Sequence, residues 1–243
     1  MNKKNLLIPF ATSFLISGTH SHATTIAFQN ATASISQQFY DSFDAIDGSR
    51  SLASGQGWAT NGATSALAVE LANPVSFSST TYNLRLYQGF GHSAQQFLQN
   101  FRVSYTTDGL NTFADGLSNG GDVTANWTPI NVFSSITENA PSDITFQVDN
   151  VTGDISVTSS NENLLRPESI DDGYYDLQFT LPASGLRIAS SQVTGLRIDA
   201  LSDPGFANGN FILREMVLTA VPEPSTSLLT GLAALALIGR RRR

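Results

Sequence analysis

The sequence predicts an all-β protein, an antiparallel β-sandwich of the jelly-roll kind, and three observations carry that prediction. Between Thr24 and Ala220, segment after segment alternates apolar and polar residues at period two. The punctuation between segments is Gly, Asn, Asp, Ser and Pro at turn-like spacing, and no segment sustains a 3.6-residue period. Nothing inside this stretch resembles a linker, so residues 24–220 are expected to form one domain.

Taken in order, "SALAVELA" sets Leu67, Val69 and Leu71 against small or charged residues. "TYNLRLY" sets Tyr82, Leu84 and Leu86 against Asn83, Arg85 and Tyr87. "NFRVSYTTDG" aligns Phe101, Val103 and Tyr105 on one face and turns at Asp108-Gly109. "DITFQVD", "YYDLQFTL", "TGLRIDA" and "GNFILREMVLTA" read alike. The only helical hint, "HSAQQFLQNF", serves equally well as a loop feeding a strand.

The two ends differ from this body. Residues 1–23 carry Lys3 and Lys4, then an apolar run over residues 6–16, then the small-x-small triplet Ser21-His22-Ala23. That is the layout of a secretion signal, with an N-terminal signal helix and cleavage by signal peptidase between Ala23 and Thr24. At the other end, "VPEPSTSLLTGLAALALIGRRRR" holds an apolar run of 13 residues, 227–239. As a helix this would span about 20 Å, against a hydrocarbon core of about 30 Å. Such a short hydrophobic helix crosses a membrane only with thinning or snorkelling, its small residues open to grip by a membrane partner. It therefore suits a recognition segment, held in the membrane through the tail before processing.

Composition removes several classes of function. There is no cysteine, and His20 and His22 leave with the signal, so only His92 remains in the mature chain. Thiol chemistry, disulfides and multi-histidine zinc sites fall together, and the surroundings of His92 hold no Gly-x-Ser-x-Gly elbow. Glycosidase chemistry needs two carboxyls at a defined separation, and no marked pair stands out. No enzyme is expected. Residues 24–221 carry seven arginines, no lysine and nineteen carboxylates, a formal charge of −12. Such a surface repels phosphate backbones, so nucleic acid is not an expected partner, whereas acidic loops suit Ca²⁺.

Two resemblances follow from these residues. Val221-Pro222-Glu223-Pro224, the short apolar run and Arg240, Arg241, Arg242 and Arg243 together resemble the PEP-CTERM sorting signal of Gram-negative bacteria. The resemblance implies processing of residues 221–243 by an exosortase, export through the inner membrane, and a destination at the cell surface or in the extracellular matrix. In the body, "NATASISQQFYDSFDAIDGSRSLASGQGWAT", "LAVELANPVSF", "FRVSYTTDGLNTF" and "VTGLRIDALSDPGFANGNFILREMVLTA" together resemble the galactose-binding-like superfamily, which includes discoidin domains and many carbohydrate-binding modules. The chain departs from that pattern by having no end-to-end disulfide and by an insertion at about residues 115–168.

Candidate site residues fall in two groups. Asp44 and Asp47, with a turn at Gly48, form a loop that aims oxygens at one point. The second resemblance implies a structural calcium held by Asp47 and Glu215, with backbone oxygens around Ala45 and from Ser49 to Ser51. Glu215 follows Phe211 and Leu213 at period two, which sets a carboxylate on an apolar strand face where it needs a partner. A Glu215–Arg pair with Asp47 as a turn cap is the alternative. For a sugar ligand, the loop after "NLRLY" gathers Tyr87, Gln88, Phe90, His92 and Gln95, and Trp127 stands free in the insertion. Trp58 reads as a core residue, "DNVTGD" and "ESIDDGYYD" as solvated turns, and Arg85, Arg102 and Arg197 as partners of strand-surface carboxylates. Two functions remain open: a surface-sorted module binding polysaccharide, with calcium, or a purely structural matrix or adhesion protein. A defined pocket at the Tyr87–Gln95 rim favours the first.

Overall fold

A computed structural model describes residues 23–76, 80–89, 97–109, 113–137, 144–159, 169–181, 192–201 and 210–221. The signal segment, Pro222 to Arg243, and Phe90, His92 and Gln95 lie outside the described residues. The body from Ala23 to Glu223 is one compact unit.

Among the described residues thirteen strands make two sheets. In chain order they are β1 (Thr24–Ile26), β2 (Phe28–Ala33), β3 (Trp58–Asn61), β4 (Ser65–Ser76), β5 (Thr81–Gln88), β6 (Asn100–Thr106) and β7 (Thr128–Pro129). Then come β8 (Val132–Thr137), β9 (Ile144–Val148), β10 (Asp154–Ser159), β11 (Tyr174–Thr180), β12 (Gln192–Ala200) and β13 (Asn210–Val221). The first sheet runs β1-β13-β5-β11-β8, with β3 also on β13; the second runs β2-β4-β12-β6-β10-β9, with β7 on β6. Every pairing is antiparallel. Between β2 and β3 the chain makes a single 3-10 turn at Phe43–Ala45, and "HSAQQFLQNF" resolves, in its described part, as a loop entering β6.

The alternating segments supply the core. Leu67, Val69 and Leu71 of β4, with Phe101 and Val103 of β6, face Leu84 and Leu86 of β5 and Tyr175 and Leu177 of β11. Each such side chain contributes roughly 1.5–3 kcal/mol of burial. Trp58 is fully buried, stacked edge-on against Phe211 at 4.9 Å, and its indole N–H donates to the Ile35 carbonyl at 3.0 Å. The expected core role holds.

The insertion is not a loop excursion. It supplies β8 to the edge of the first sheet and β7, β9 and β10 to the second. Its first part also folds over the outer face of the second sheet, where Phe113 and Ala114 pack on Ala68 with Val123, Ala125 and Trp127. The outer face of the second sheet is thus covered there, while that of the first is open enough to carry a groove.

β13 organises the first sheet. β5 runs along one side of it; on the other, β3 pairs with Asn210 to Leu213 and β1 with Leu218 to Ala220. The register slips between Leu213 and Glu215, a β-bulge. Before the bulge Phe211 and Leu213 enter the core; after it Met216 and Leu218 do. Glu215 consequently pairs with Tyr87, opposite the core-facing side chains, and joins the outer row with Val217, Thr219 and Val221. This corrects the expectation that Glu215 shares a face with Phe211 and Leu213: one inserted residue exchanges the faces of everything after it.

Candidate functional site

The chemistry of the body gathers around β13. The loop 44–51 closes over its bulge. Gly57 sits against it so tightly that a Cβ there would lie 2.4 Å from the Leu213 carbonyl oxygen, which reserves the position for glycine at a positive φ of 91°. Glu215 is only 5% exposed, and its Oε2 accepts the Gly48 backbone N–H at 3.0 Å. Burial pushes its carboxyl up to about 8, with Asp47 raising it further and the Gly48 N–H and Arg50 opposing. Among the described residues Glu215 has no ion pair within bridging distance.

Asp47 caps the turn, its Oδ1 accepting the Ser49 N–H at 2.6 Å. Asp44 is set apart: burial raises its carboxyl, and the carboxylates next in importance are Asp41 and Asp47 rather than Glu215. Ala45 is buried in the 3-10 turn, and the Ser51 hydroxyl accepts the Ala53 N–H at 3.2 Å. Among the described residues no three His, Cys, Asp or Glu side chains converge on one point. The buried Glu215 carboxylate, with one N–H donor and Asp47 beside it, has the chemistry of a cation partner; the wider donor set is not assembled. A cavity of about 340 Å³ opens here, lined by Glu215, Asp47, Gly48 and Arg50 and by β1 and its neighbours from Thr25 to Phe28.

Arg214, the residue inserted by the bulge, had no sign in the sequence. It is 1% exposed and, among the described residues, pairs with no carboxylate; its guanidinium reads backbone. Nε donates to the Gln88 carbonyl at 3.1 Å, Nη1 to those of Arg50 at 2.8 Å and Ile170 at 3.3 Å, and Nη2 to that of Asp172. One side chain thereby ties the loop 44–51, the end of β5 and the turn before β11. Burial lowers its pKa to about 10, which leaves it charged at neutral pH. The turn "ESIDDGYYD" is therefore clamped from beneath, although Asp172 does cap it by accepting the Ser169 N–H. The "DNVTGD" turn matches its reading, with Asp149 accepting the Val151 and Thr152 N–H groups.

The ligand candidates separate. Tyr87 lies on the outer face of the first sheet, where its hydroxyl accepts from Arg50 at 3.1 Å and Arg85 at 3.4 Å. Gln88 turns inward, with its Oε1 accepting the Leu98 N–H at 2.6 Å. Trp127 packs edge-on against Phe113 at 5.3 Å, and its indole N–H donates to the Val123 carbonyl, so it is a cover residue rather than a free platform. The three arginines pair as expected, Arg85 with Asp176, Arg102 with Asp154 and Arg197 with Asp199.

A second feature escaped the sequence reading. In the loop after β2, Phe39 is 82% exposed and holds a φ of 73°, the only described non-glycine residue in the left-handed region. Ile35, Phe43 and Leu117 are exposed in the same loop cluster. Hydrogen bonds join the two segments: Ser42 N–H to Ser118 Oγ, Ser118 Oγ to Asp41, and Ser36 N–H to Asn119. The Gln37 N–H donates to the Ala59 carbonyl, and Ala59 pairs with Ile212, so this pole lies at the Asn210 end of β13, away from Val221. The run "QQFYDSF" was the available signal, since aromatics interleaved with amides and acids have no strand to serve there.

Residues 220–243 match the family model of the PEP-CTERM protein-sorting motif. The motif implies export, sorting and processing by an exosortase, with a cell-surface or extracellular destination. It begins where β13 ends, with Ala220 paired to Thr24 across the ladder to β1. No curated protein matches the chain. Among solved structures, CBM32-3 from a family 31 glycoside hydrolase of Clostridium perfringens is similar at 14% identity, over 81% of this chain and 91% of that one, with a TM-score of 0.43. The Streptococcus pneumoniae β-galactosidase BgaA is similar at 12% identity, over 82% and 99%, with a TM-score of 0.44.

Proposed function

We propose that the chain is a non-enzymatic protein of the cell surface or extracellular matrix, sorted by an exosortase, whose β-sandwich binds carbohydrate. The observation that carries the binding half is Phe39. An aromatic ring is held almost fully in solvent by a backbone conformation that disfavours it, an arrangement that persists only where the surroundings impose it. The loop that carries the ring also holds Gln38 and Asp41 and is hydrogen-bonded to Ser118 and Asn119, planar or hydroxylated groups suited to sugar hydroxyls, while the ring face suits the C–H face of a pyranose. This pole lies at the far end of β13 from the sorting tail.

Calcium belongs to the same proposal. Glu215 would hold it with Asp47, the ion supplying positive charge to a carboxylate that burial otherwise keeps protonated. Co-sedimentation of the full chain, in detergent, with the exopolysaccharide of the producing strain tests the reading. Phe39→Ala is expected to weaken binding about tenfold, the effect of losing a stacking contact worth 1–1.5 kcal/mol. Its melting temperature should match that of the wild type. Wild-type protein that fails to sediment with the polysaccharide would transfer the reading to a purely structural matrix protein.

A further inference from the structure

The open outer face of the first sheet holds a groove of about 380 Å³, with Arg50 at one end and Val221 at the other. Its floor is a network of planar groups. Asp176 Oδ1 accepts from Arg85 Nε at 2.8 Å and from Asn83 Nδ2 at 2.9 Å, and Asp176 Oδ2 accepts from Arg85 Nη2 at 2.7 Å. Arg85 lies 3.7 Å above the Tyr174 ring, which fixes its plane. Gln178 extends the polar row, and Val217, Thr219 and Val221 edge it with methyl groups.

Two properties of this floor select a ligand. First, its charges are already matched: Arg85 pairs with Asp176 and Arg50 with Asp171, so neither a strong anion nor a cation meets a net field. Second, it is short of a donor. With the Asn83 nitrogen given to Asp176, its Oδ1 is buried and has no partner among the described residues. A buried acceptor left unpaired costs about 1–3 kcal/mol, which a ligand hydroxyl would recover. The ring faces of Tyr87 and Tyr174 are taken by arginines at 4.9 and 3.7 Å, so recognition here runs through hydrogen bonds and methyl contacts rather than stacking.

We propose that this groove is a second carbohydrate site, taking a neutral, hydroxyl-rich chain along β5, β11 and β13, independent of the Phe39 pole. It extends the carbohydrate reading, and two sites on one body would let it bridge two glycan chains.

Affinity electrophoresis of the full chain in detergent tests this, in gels containing galactomannan, xyloglucan, β-glucan or the strain's own exopolysaccharide. Polygalacturonate serves as the acidic counterpart. Phe39→Ala should keep part of the retardation by at least one neutral polymer. Adding Asn83→Ala and Gln178→Ala should lower that remainder about tenfold, the effect of one to two hydrogen bonds. Thr219→Trp, which fills the groove from a half-buried strand position, should do the same without removing a member of the hydrogen-bond network. Phe39→Ala alone abolishing all retardation would overturn the groove and leave the pole standing. Retardation that survives both groove variants, that appears only with polygalacturonate, or that appears with no polymer at all would overturn it as well.

Discussion

Along β13 the chain passes from a half that buries its charges to a half that lies open beside a charged pair. At the bulge, Arg214 and Glu215 are 1% and 5% exposed and find almost all their partners in backbone: four carbonyls for the arginine, one N–H for the glutamate. Beyond it, Val217 and Thr219 flank Arg85 and Asp176, which satisfy each other and keep side-chain exposures of 32% and 14%. The difference separates two uses of charge. A buried guanidinium reading carbonyls from two loops and a strand end sets their positions, and its loss is felt by the fold. A half-exposed pair contributes little to stability and leaves its edges to a ligand.

The sharpest way to break this comparison is Arg214→Met. The substitution keeps the aliphatic stem and strands the carbonyls of Gln88, Arg50, Ile170 and Asp172, and we expect a loss of about 3–5 kcal/mol in urea unfolding. Arg214→Lys should recover only part of it, because a point charge cannot serve carbonyls in three segments at once. A loss below about 1 kcal/mol would make the bulge no more structural than the groove.

Glu215 sharpens the same contrast through pH. Its carboxyl is raised from 4.5 to about 8 in the folded protein, so between those values the folded state holds a proton that the unfolded state has released. The stability tied to that proton is complete below about 4.5 and is lost as pH rises through 8. Relative to Glu215→Gln, which cannot titrate, the wild type should fall by roughly 5 °C in melting temperature between pH 5 and pH 9. Millimolar Ca²⁺ at pH 9 should restore the difference in the wild type and leave the variant unmoved, by mass action on the folded state. Equal responses of the two proteins to Ca²⁺ would remove Glu215 from the metal proposal.

How much of this was legible in the sequence follows the same division. β4, β5, β6, β9, β11, β12 and β13 announce themselves because one face of each enters the core, so alternation is written in Leu, Val, Phe and Tyr. β3 is short, and neither "WATN" nor "VFSSIT" of β8 alternates apolar and polar residues well enough to set a period. The bulge leaves no local mark: Arg214 and Glu215 sit in a run that reads as unbroken alternation, and only the ladder to β5 exposes the slip. That single residue is why Glu215 was expected on the wrong face and Arg214 not expected at all. The pairing of Arg85 with Asp176 and of Arg102 with Asp154 was legible because cross-strand neighbours on a surface need only opposite charge, and that of Arg197 because Asp199 stands two residues on, on the same face of its own strand. The position of Phe39 was not, since backbone strain in a loop is set by contacts from Asn119, Ser118 and Ala59 that lie far along the chain.

The smallest effect is expected at the groove itself, and it bears most directly on whether the open half of β13 is built for a ligand. In a double-mutant cycle of Arg85→Ala and Asp176→Ala, the coupling should be about 0.5–1 kcal/mol by urea unfolding, the usual worth of a solvent-accessible pair. Its bidentate geometry argues for the upper end of that range, and solvent screening for the lower. The pair holds a flat array in which Asp176 also orients the Asn83 amide. Each single variant should therefore weaken glycan retardation more than it weakens the fold. A coupling of 3 kcal/mol or more would belong to a buried network like that of Arg214, and the contrast between the two halves of the strand would dissolve.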